Sequence, residues 1–478
     1  MWPLLHSLHL NSVLVPVYWE LTEPVEGQFD FALLDSIILD ARREKMHLVL
    51  LWFGSWKNSM SCYVPSWVKR DYLRFPRVRN SRNEAMEILT PFSAENMQSD
   101  MKAFRALMKH LRETDGSQST VVMVQVENEI GMIPEARDHH PEALKAFAAS
   151  VPGELMTYLV KNRESLNPEL RDCWLSAGTK TSGTWEQVFG KGTAAEEIFM
   201  AWYFARYTGE VARAGKEEYP LPMFVNAALS KPGQKPGEYP SAGPLPHLFD
   251  LWRAGAPAID FYAADIYNPF FKEWLLRYNR QGNPMFIPEI FRSRQNGAKA
   301  LYLVGEHNGM GFSPFAIDSH ELPADENLAA AYDLLRQLEP LIHERQGTNR
   351  MAGVLLSYAE PEVDLVMGNY RFHFSFELLD RYADKQNASD SSYRAGGILL
   401  QLSEDEYILA GTGLIITFEP AGLTQKKAGI ISADKGIIEQ GNWKTVQRLN
   451  GDQTHQGRHV RLPNQEFGMV KAGLYLYE

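Results

Sequence analysis

Strand-like apolar runs alternate with helical or irregular stretches up to about residue 345, and this alternation constrains the fold more than any other feature. A strand that is apolar on both faces belongs in a parallel sheet covered by helices. This many strand and helix units favour an α/β chain with a (β/α)8-type TIM barrel. The runs are Ser12–Tyr18, Met46–Gly54, Val121–Val126, Pro222–Ala228, Ile259–Tyr267, Met285–Ile290 and Gly311–Ile317.

Helical stripes precede two of these runs. Apolar residues that recur at a spacing of three or four lie on one face of an α-helix. Ser99 is predicted to cap the N-terminus of the helix that contains Met101 to Leu111, because serine is favoured at the N-cap. The first stripe is Leu33, Leu34, Ile37, Ile38 and Ala41, and the second is Met101, Phe104, Leu107, Met108 and Leu111.

The pattern changes after Arg350, where short segments with a period of two replace the helical stripes. Alternating segments separated by turns such as Asn450-Gly451 predict an antiparallel β domain. We therefore expect two domains, a catalytic (β/α) barrel over residues 1–348 and an all-β accessory domain over residues 349–478. The β segments are Arg371–Phe376, Gly397–Leu402, Tyr407–Ala410 and Leu414–Phe418.

Composition excludes several classes of partner. The chain has 478 residues and a formal net charge of −11, without a long Lys/Arg block, so a nucleic-acid partner is not expected. No apolar run approaches the roughly 18 residues that a membrane helix needs, so no membrane partner is expected either. Two cysteines, Cys62 and Cys173, exclude a disulfide framework. No metal or cofactor motif stands out, and none is predicted.

Carboxylates follow two of the predicted strands. Val121–Val126 runs into Glu127, Asn128 and Glu129, and Glu289 stands near the end of Met285–Ile290. The C-terminal ends of barrel strands carry the catalytic groups in this architecture. Two carboxylates there, one to protonate a leaving oxygen and one to attack carbon, suit glycoside hydrolysis.

These segments resemble glycoside hydrolase family 35, the β-galactosidases, in a bacterial branch with an all-β C-terminal domain. VQVENEIG (124–131) looks like the acid/base motif, PMFIPEIF (284–291) looks like the nucleophile segment, and residues 15–31 and 48–69 are similar to the early strands. The resemblance implies that Glu129 is the general acid/base and Glu289 the nucleophile. It also implies that Asn128 contacts the sugar 2-hydroxyl and that Tyr267 lies near the nucleophile.

The function expected from this resemblance is a retaining, exo-acting β-galactosidase that releases terminal β-galactosyl residues from oligo- or polysaccharides. Aromatic side chains near strand ends can stack on sugar rings, and Tyr18 and Trp56 are expected to bind the substrate in this way. Glu127, two positions before Glu129, is expected to support the strand end rather than to touch the sugar.

Two alternatives stay open. The chain could be a retaining relative of the same clan with another β-sugar specificity, or an inactive carbohydrate-binding protein. The second follows from the resemblance, which implies a first barrel strand ahead of Met1 that this sequence lacks. If an upstream segment with a signal peptide is missing, a periplasmic or secreted location is expected, and otherwise a cytoplasmic one. Assembly into a homo-oligomer is left open.

Overall fold

The structure is a computed structural model that describes residues 1–319, 324–376, 393–422, 425–464 and 466–478. It divides into two compact units. The larger unit comprises residues 11–268 and 276–283, and the smaller unit comprises residues 1–10, 269–275 and 284–478.

The first part of the chain, up to residue 345, alternates strands and helices. In chain order these are α1 (Trp2–Ser7), β1 (Ser12–Tyr18), α2 (Trp19–Thr22), α3 (Ala32–Arg43), β2 (His47–Lys57), α4 (Ser66–Arg70), β3 (Arg77–Arg79), β4 (Ala85–Leu89), α5 (Ala94–Asp115), β5 (Val121–Asn128), α6 (Pro141–Ala148), α7 (Gly153–Lys161), α8 (Pro168–Ser176), α9 (Trp185–Phe189), α10 (Thr193–Glu218), β6 (Met223–Ala228), α11 (Phe249–Gly255), β7 (Phe261–Ile266), α12 (Phe271–Tyr278), β8 (Phe286–Ile290), α13 (Asn296–His307), β9 (Gly311–Pro314) and α14 (Ala324–Arg345).

All seven predicted strands are present as β1, β2, β5, β6, β7, β8 and β9. In the larger unit, β1 pairs with β2, β2 with β5, β5 with β6 and β6 with β7, and every one of these pairs is parallel. In the smaller unit, β8 pairs in parallel with β9. Parallel strands that alternate with helices confirm the predicted (β/α) barrel class.

Helix α5 begins earlier than the sequence suggested. Its N-cap is Ser93, whose hydroxyl accepts a hydrogen bond from the Asn96 backbone N–H at 3.2 Å. Ser99 lies inside the helix and is buried, so the prediction of Ser99 as the N-cap was wrong. The buried face of α5 packs against α10, where Gly215 leaves room for the Phe104 ring.

The rest of the chain forms antiparallel sheets in the smaller unit, as predicted. One sheet has the strand order β10-β13-β14-β19-β16-β17, and the other has the order β11-β12-β15-β18. The strands are β10 (Met351–Ser357), β11 (Glu362–Met367), β12 (Tyr370–Phe376), β13 (Tyr393–Gln401), β14 (Glu406–Thr412), β15 (Leu414–Pro420), β16 (Lys427–Glu439), β17 (Asn442–Arg448), β18 (His459–Leu462) and β19 (Gly468–Tyr477).

The larger antiparallel sheet is buried on both faces. Ile398 and Leu400 of β13 pack in a cluster with Leu334 and Leu338 of α14. Leu399, on the opposite face of the same strand, packs in a cluster with the four-stranded sheet. This period of two is the pattern of a strand between two apolar layers. The predicted domain boundary at residue 348 lies between α14 and β10 and stays a prediction.

Within the described residues, no helix combines the length and apolar character that a membrane crossing requires. Cys62 and Cys173 are both free thiols.

Candidate active site

The C-terminal ends of β1, β2, β5, β6 and β7 lie at one edge of the parallel sheet in the larger unit. Tyr18 and Asn128 are the last residues of β1 and β5, and Glu129 follows directly after Asn128. Because parallel strands end at the same edge, this edge brings together residues that are far apart in sequence. In a sheet of this kind, catalytic groups lie at this edge.

The backbone of the strand end is unusual at both glutamates. Glu127 has a φ of 62° and Glu129 a φ of 44°, so both adopt the left-handed conformation that side chains other than glycine rarely take. A residue held in this way costs on the order of 1–3 kcal/mol, and it persists only where surrounding contacts enforce it. Strained residues of this kind cluster at functional sites.

Contacts from two neighbouring strands hold the backbone of Glu129. Its N–H donates to Asn226 Oδ1 at 3.0 Å, and its carbonyl accepts from the Ser59 N–H at 3.0 Å and from the Ser59 hydroxyl at 3.1 Å. Asn226 belongs to β6, and Ser59 belongs to the turn after β2. The Glu129 side chain is 8% exposed. Glu129 is thus a nearly buried carboxyl group on a firmly held backbone.

Asn226 extends this hydrogen-bonded chain to the next strand. Its Nδ2 group donates to Asp265 Oδ2 at 2.5 Å, and Asp265 lies on β7. Both side chains are 1% exposed. The ends of β5, β6 and β7 are therefore coupled through side chains, and a change at Asn226 would release the Glu129 backbone.

The side-chain oxygen of Asn128 is a buried acceptor that receives no hydrogen bond from the described residues. The residue is 1% exposed, and Oδ1 has no donor among the described residues. An unsatisfied buried acceptor of this kind costs about 1–3 kcal/mol. A hydroxyl group can donate to it, so Asn128 remains the candidate for the contact with a sugar hydroxyl that the resemblance implied.

Glu127 points into the interior and away from solvent. It is fully buried, and its Oε2 accepts from the Trp56 N–H at 2.7 Å. Burial, together with the negative charge of Asp100, raises the pKa of Glu127 well above its usual range. Glu127 is therefore a supporting residue in the core, which agrees with the role expected of it from the sequence.

Trp56 does not offer a face to a sugar. Its side chain has no exposed surface, its indole N–H donates to the Leu89 carbonyl at 3.1 Å, and its ring packs against Tyr207 at 4.5 Å and Phe204 at 5.2 Å. The expected stacking of Trp56 on a sugar does not fit this position, because its ring has no exposed face. Its position near a strand end suggested exposure, but a bulge in β2 turns it inward.

Tyr18 and Tyr267 remain candidates for substrate binding. Tyr18 is partly buried, with its ring 4.9 Å from Tyr63 and 5.6 Å from Phe53. Burial, with contributions from Tyr63 and Glu20, raises the pKa of Tyr18, so its hydroxyl stays protonated at neutral pH. Tyr267 follows β7 directly and is 48% exposed. Both are placed at strand ends of the larger unit.

Glu289 belongs to the smaller unit, on β8. The pairing of β8 with β9 is interrupted between Ile287 and Ile290, so that Pro288 and Glu289 occupy an irregularity of the strand. The Glu289 side chain is partly buried. Among the described residues, no group of three His, Cys, Asp or Glu side chains could hold a metal ion.

Two family models match the chain. Residues 3–195, which include Tyr18, Asn128 and Glu129, match the model of glycoside hydrolase family 42 described as beta-galactosidase. Residues 328–461 match a domain of unknown function, DUF5597. The first match agrees with the predicted class of enzyme, a glycoside hydrolase of the β-galactosidase type. It also corrects the family inferred from the motifs, because the matching model is that of family 42 and not of family 35.

Solved structures with a similar chain path include several glycosidases. A β-galactosidase from Bacillus circulans sp. alkalophilus is 15% identical with a TM-score of 0.48, and the match covers 70% of this chain and 53% of that chain. A β-galactosidase from Rahnella sp. R3 is 16% identical with a TM-score of 0.47, and the match covers 71% of this chain and 53% of that chain. The catalytic domain of a β-amylase from Paenibacillus polymyxa is 12% identical with a TM-score of 0.48, and the match covers 69% of this chain and 92% of that chain.

The chain spans about half the length of these two β-galactosidases. Identities and TM-scores of this size say nothing about its substrate. No curated protein matches the sequence. The chain is therefore similar, over residues 3–195, to the β-galactosidases of glycoside hydrolase family 42, and residues 328–461 are similar to a domain of unknown function.

Proposed function

We propose that this protein is a retaining, exo-acting β-galactosidase that hydrolyses terminal β-galactosyl residues of oligo- or polysaccharides. The observation that carries the proposal is the end of β5, where Glu129 is nearly buried on a backbone held from two sides and is preceded by a buried Asn128 with an unused acceptor. The family 42 match over the same residues supports the sugar and the bond cleaved.

The proposed reaction proceeds in two displacements. Glu289 attacks the anomeric carbon while Glu129 gives its proton to the leaving oxygen, and a covalent galactosyl ester forms on Glu289. Glu129, now a carboxylate, then takes a proton from water as the water attacks the ester carbon. The free sugar leaves with its original β configuration, and both carboxyl groups return to their starting states.

Binding groups are proposed around this centre. Asn128 Oδ1 accepts a hydrogen bond from the sugar 2-hydroxyl, a contact that strengthens in the transition state of glycoside hydrolysis. Tyr18 and Tyr267 offer phenol groups at the ends of β1 and β7, where an aromatic ring and a hydroxyl can both contact a sugar. No metal or cofactor takes part in these steps.

A panel of aryl β-glycosides tests the substrate. We expect hydrolysis of the β-galactoside at a kcat/KM at least about 100-fold above that of the β-glucoside, because a site built to hydrogen-bond one hydroxyl configuration strongly rejects its epimer. Initial rates with the galactoside, glucoside, mannoside, xyloside and fucoside are to be measured under one set of conditions.

The outcomes of this panel separate the alternatives. A preference for another β-sugar would replace the galactosidase by a relative of different specificity. An inactive panel, together with binding of galactose-containing oligosaccharides by calorimetry, would favour a carbohydrate-binding protein. Glu113→Gln serves as the control variant, since Glu113 is an exposed residue of α5 at the opposite end from the strand edge.

A further inference from the structure

A bulge in β2 lies beside the end of β5, two residues before Glu129. Trp52 is the partner of Val126 in the parallel pairing, but Asn128 is paired with Lys57, so residues 53–56 stand opposite the single residue Glu127. The backbone N–H groups of such a bulge lose their ladder partners. Inside a protein they must find other acceptors, because an unpaired buried N–H is costly.

Two buried carboxylates take these N–H groups. Asp100 Oδ2 accepts from the Ser55 N–H at 3.1 Å, and Glu127 Oε2 accepts from the Trp56 N–H at 2.7 Å. Asp100 and Glu127 are both fully buried. Within the described residues, no basic side chain forms a hydrogen bond or ion pair with either of them. Two bare negative charges without a counter-ion would be strongly unfavourable in such a place.

The two carboxylates differ in the donors that they receive. Asp100 Oδ1 accepts from the Trp52 indole N–H at 2.9 Å, and Asp100 Oδ2 lies 3.5 Å from the Tyr207 hydroxyl in addition to its bond from Ser55. Glu127 Oε1 has no donor among the described residues. This oxygen and Asp100 Oδ1 border the same small space, since each lies 2.8 Å from the point where a Cβ on Gly54 would stand.

We propose that Asp100 and Glu127 share one proton, with Asp100 charged and Glu127 neutral, and that this pair positions Glu129 by holding the bulge of β2. With a proton on Oε1, Glu127 can donate an O–H hydrogen bond toward Asp100. The pair then carries a single negative charge. The donors around Asp100 stabilise that charge. The positioning role rests on the proposed function, whereas the shared proton does not.

The bulge reaches Glu129 through the turn that follows it. The Lys57 N–H donates to the Met60 carbonyl at 2.8 Å, and the Met60 N–H donates back at 3.0 Å, which closes a two-residue turn over Asn58 and Ser59. The Asn58 N–H donates to the Asn128 carbonyl at 3.2 Å, and Ser59 holds the Glu129 carbonyl. A displaced bulge therefore displaces the peptide that carries Glu129.

Burial raises the pKa of Glu127, and a negative charge on Asp100 raises it further, so both favour the neutral form of Glu127. The Tyr207 hydroxyl, which contacts Asp100 from α10, also has a raised pKa through burial and stays protonated. A carboxyl group whose pKa is raised on folding binds its proton more tightly in the folded state, so its contribution to stability falls as the pH rises above its unfolded value.

The first arm of the test measures stability against pH. Glu127→Gln places an amide N–H where the proton is proposed and keeps the acceptor for Trp56. We expect the melting temperature of this variant, relative to the wild type, to rise steadily from about pH 5 to about pH 8, because only the wild type must retain a proton there. Glu113→Gln, which removes an exposed charge from α5, should show no such trend.

The second arm measures positioning with two substrates of different leaving-group quality. Glu127→Ala removes the acceptor for Trp56, and Asp100→Asn turns an amide N–H toward existing donors. Each should lower kcat on lactose roughly 100-fold, as expected when a catalytic group shifts by about 1 Å. With a dinitrophenyl galactoside, whose leaving group needs no proton, the loss in kcat/KM, which reports the first displacement alone, should be only a few-fold. Glu127→Gln should restore the lactose rate to near that of the wild type.

Three results would overturn the inference. A melting-temperature difference for Glu127→Gln that does not change with pH would exclude the shared proton, even if Asp100→Asn fails to fold. Equal losses on lactose for Glu127→Gln and Glu127→Ala would exclude the amide as a substitute for the acid. Equal losses on both substrates would exclude positioning of the acid/base. If the wild type hydrolyses no glycoside, the proposed function and the positioning role fail together, and the pH trend alone decides the proton.

Discussion

Glu289→Ala should lower hydrolysis of an aryl β-galactoside by roughly ten-thousand-fold or more, because it removes the carboxylate that forms the covalent bond to the sugar in the proposed mechanism. Added azide should restore turnover and give the α-galactosyl azide. Without a carboxylate in its way, azide attacks the anomeric carbon directly, on the face opposite the leaving group, and inverts the configuration. The product anomer is to be identified by proton NMR.

The control for this variant is Glu339→Ala, which removes an exposed glutamate of α14 in the same smaller unit and should leave hydrolysis unchanged. If Glu289→Ala instead produced the β-galactosyl azide, Glu289 would be the acid/base and the two roles would be reversed. Wild-type activity in Glu289→Ala would remove Glu289 from the reaction altogether.

Glu129→Ala should produce a loss that depends on the leaving group. Removal of a general acid typically costs 10²–10⁴-fold, and we expect roughly 1,000-fold for lactose. The first displacement with a dinitrophenyl galactoside should be nearly unaffected, because that leaving group departs without protonation. Azide should accelerate release of the intermediate and give the β-galactosyl azide, through a second inversion at the same carbon. A Brønsted plot of rate against leaving-group pKa measures this dependence.

Glu113→Ala is the matched control in the larger unit, since it removes a glutamate of similar size from an exposed site. A loss of equal size for every leaving group would contradict the acid/base role of Glu129. Such a result would indicate that Glu129 mainly binds the sugar or supports the strand end. Formation of the α-galactosyl azide by Glu129→Ala would also contradict the acid/base role of Glu129.

The parallel strands were predictable because burial on both faces leaves a plain signal in the sequence. Val121, Val124 and Val126 of β5 are all fully buried, as their apolar side chains indicate. The abrupt change from this run to Glu127 marked the end of the strand and directed attention to Glu129. Strand ends in such a sheet hold functional groups, so the same pattern also indicated where a candidate site would lie.

The direction of individual side chains at the strand ends was not predictable. Trp56 was expected to face a substrate because it comes late in its strand, but residues 53–56 bulge opposite Glu127 and carry its ring into the core. A bulge depends on acceptors from other parts of the chain, here the carboxylates of Asp100 and Glu127. Local sequence contains no record of these partners.

Asp100 was missed because the start of α5 was placed too late. With Ser99 as the N-cap, Asp100 would lie in the first turn, where acidic residues are common and exposed. With the observed N-cap at Ser93, Asp100 instead lies one turn before Phe104 on the buried face of the helix. An acidic residue in an apolar stripe was the signal that could have identified it, since a buried carboxylate is costly without a specific partner.

Trapping of the covalent intermediate tests the central claim most directly. A 2-deoxy-2-fluoro-β-galactosyl fluoride should react with the wild type in the first displacement, and the resulting covalent intermediate should persist. The fluorine at C2 slows both displacements, but the good fluoride leaving group keeps the first one fast, so only the attack of water becomes very slow. Peptide mass spectrometry should find the fluorogalactosyl group on Glu289, within residues 284–291. A label on another carboxylate, or an active enzyme that is not labelled and releases α-galactose first, would contradict the account.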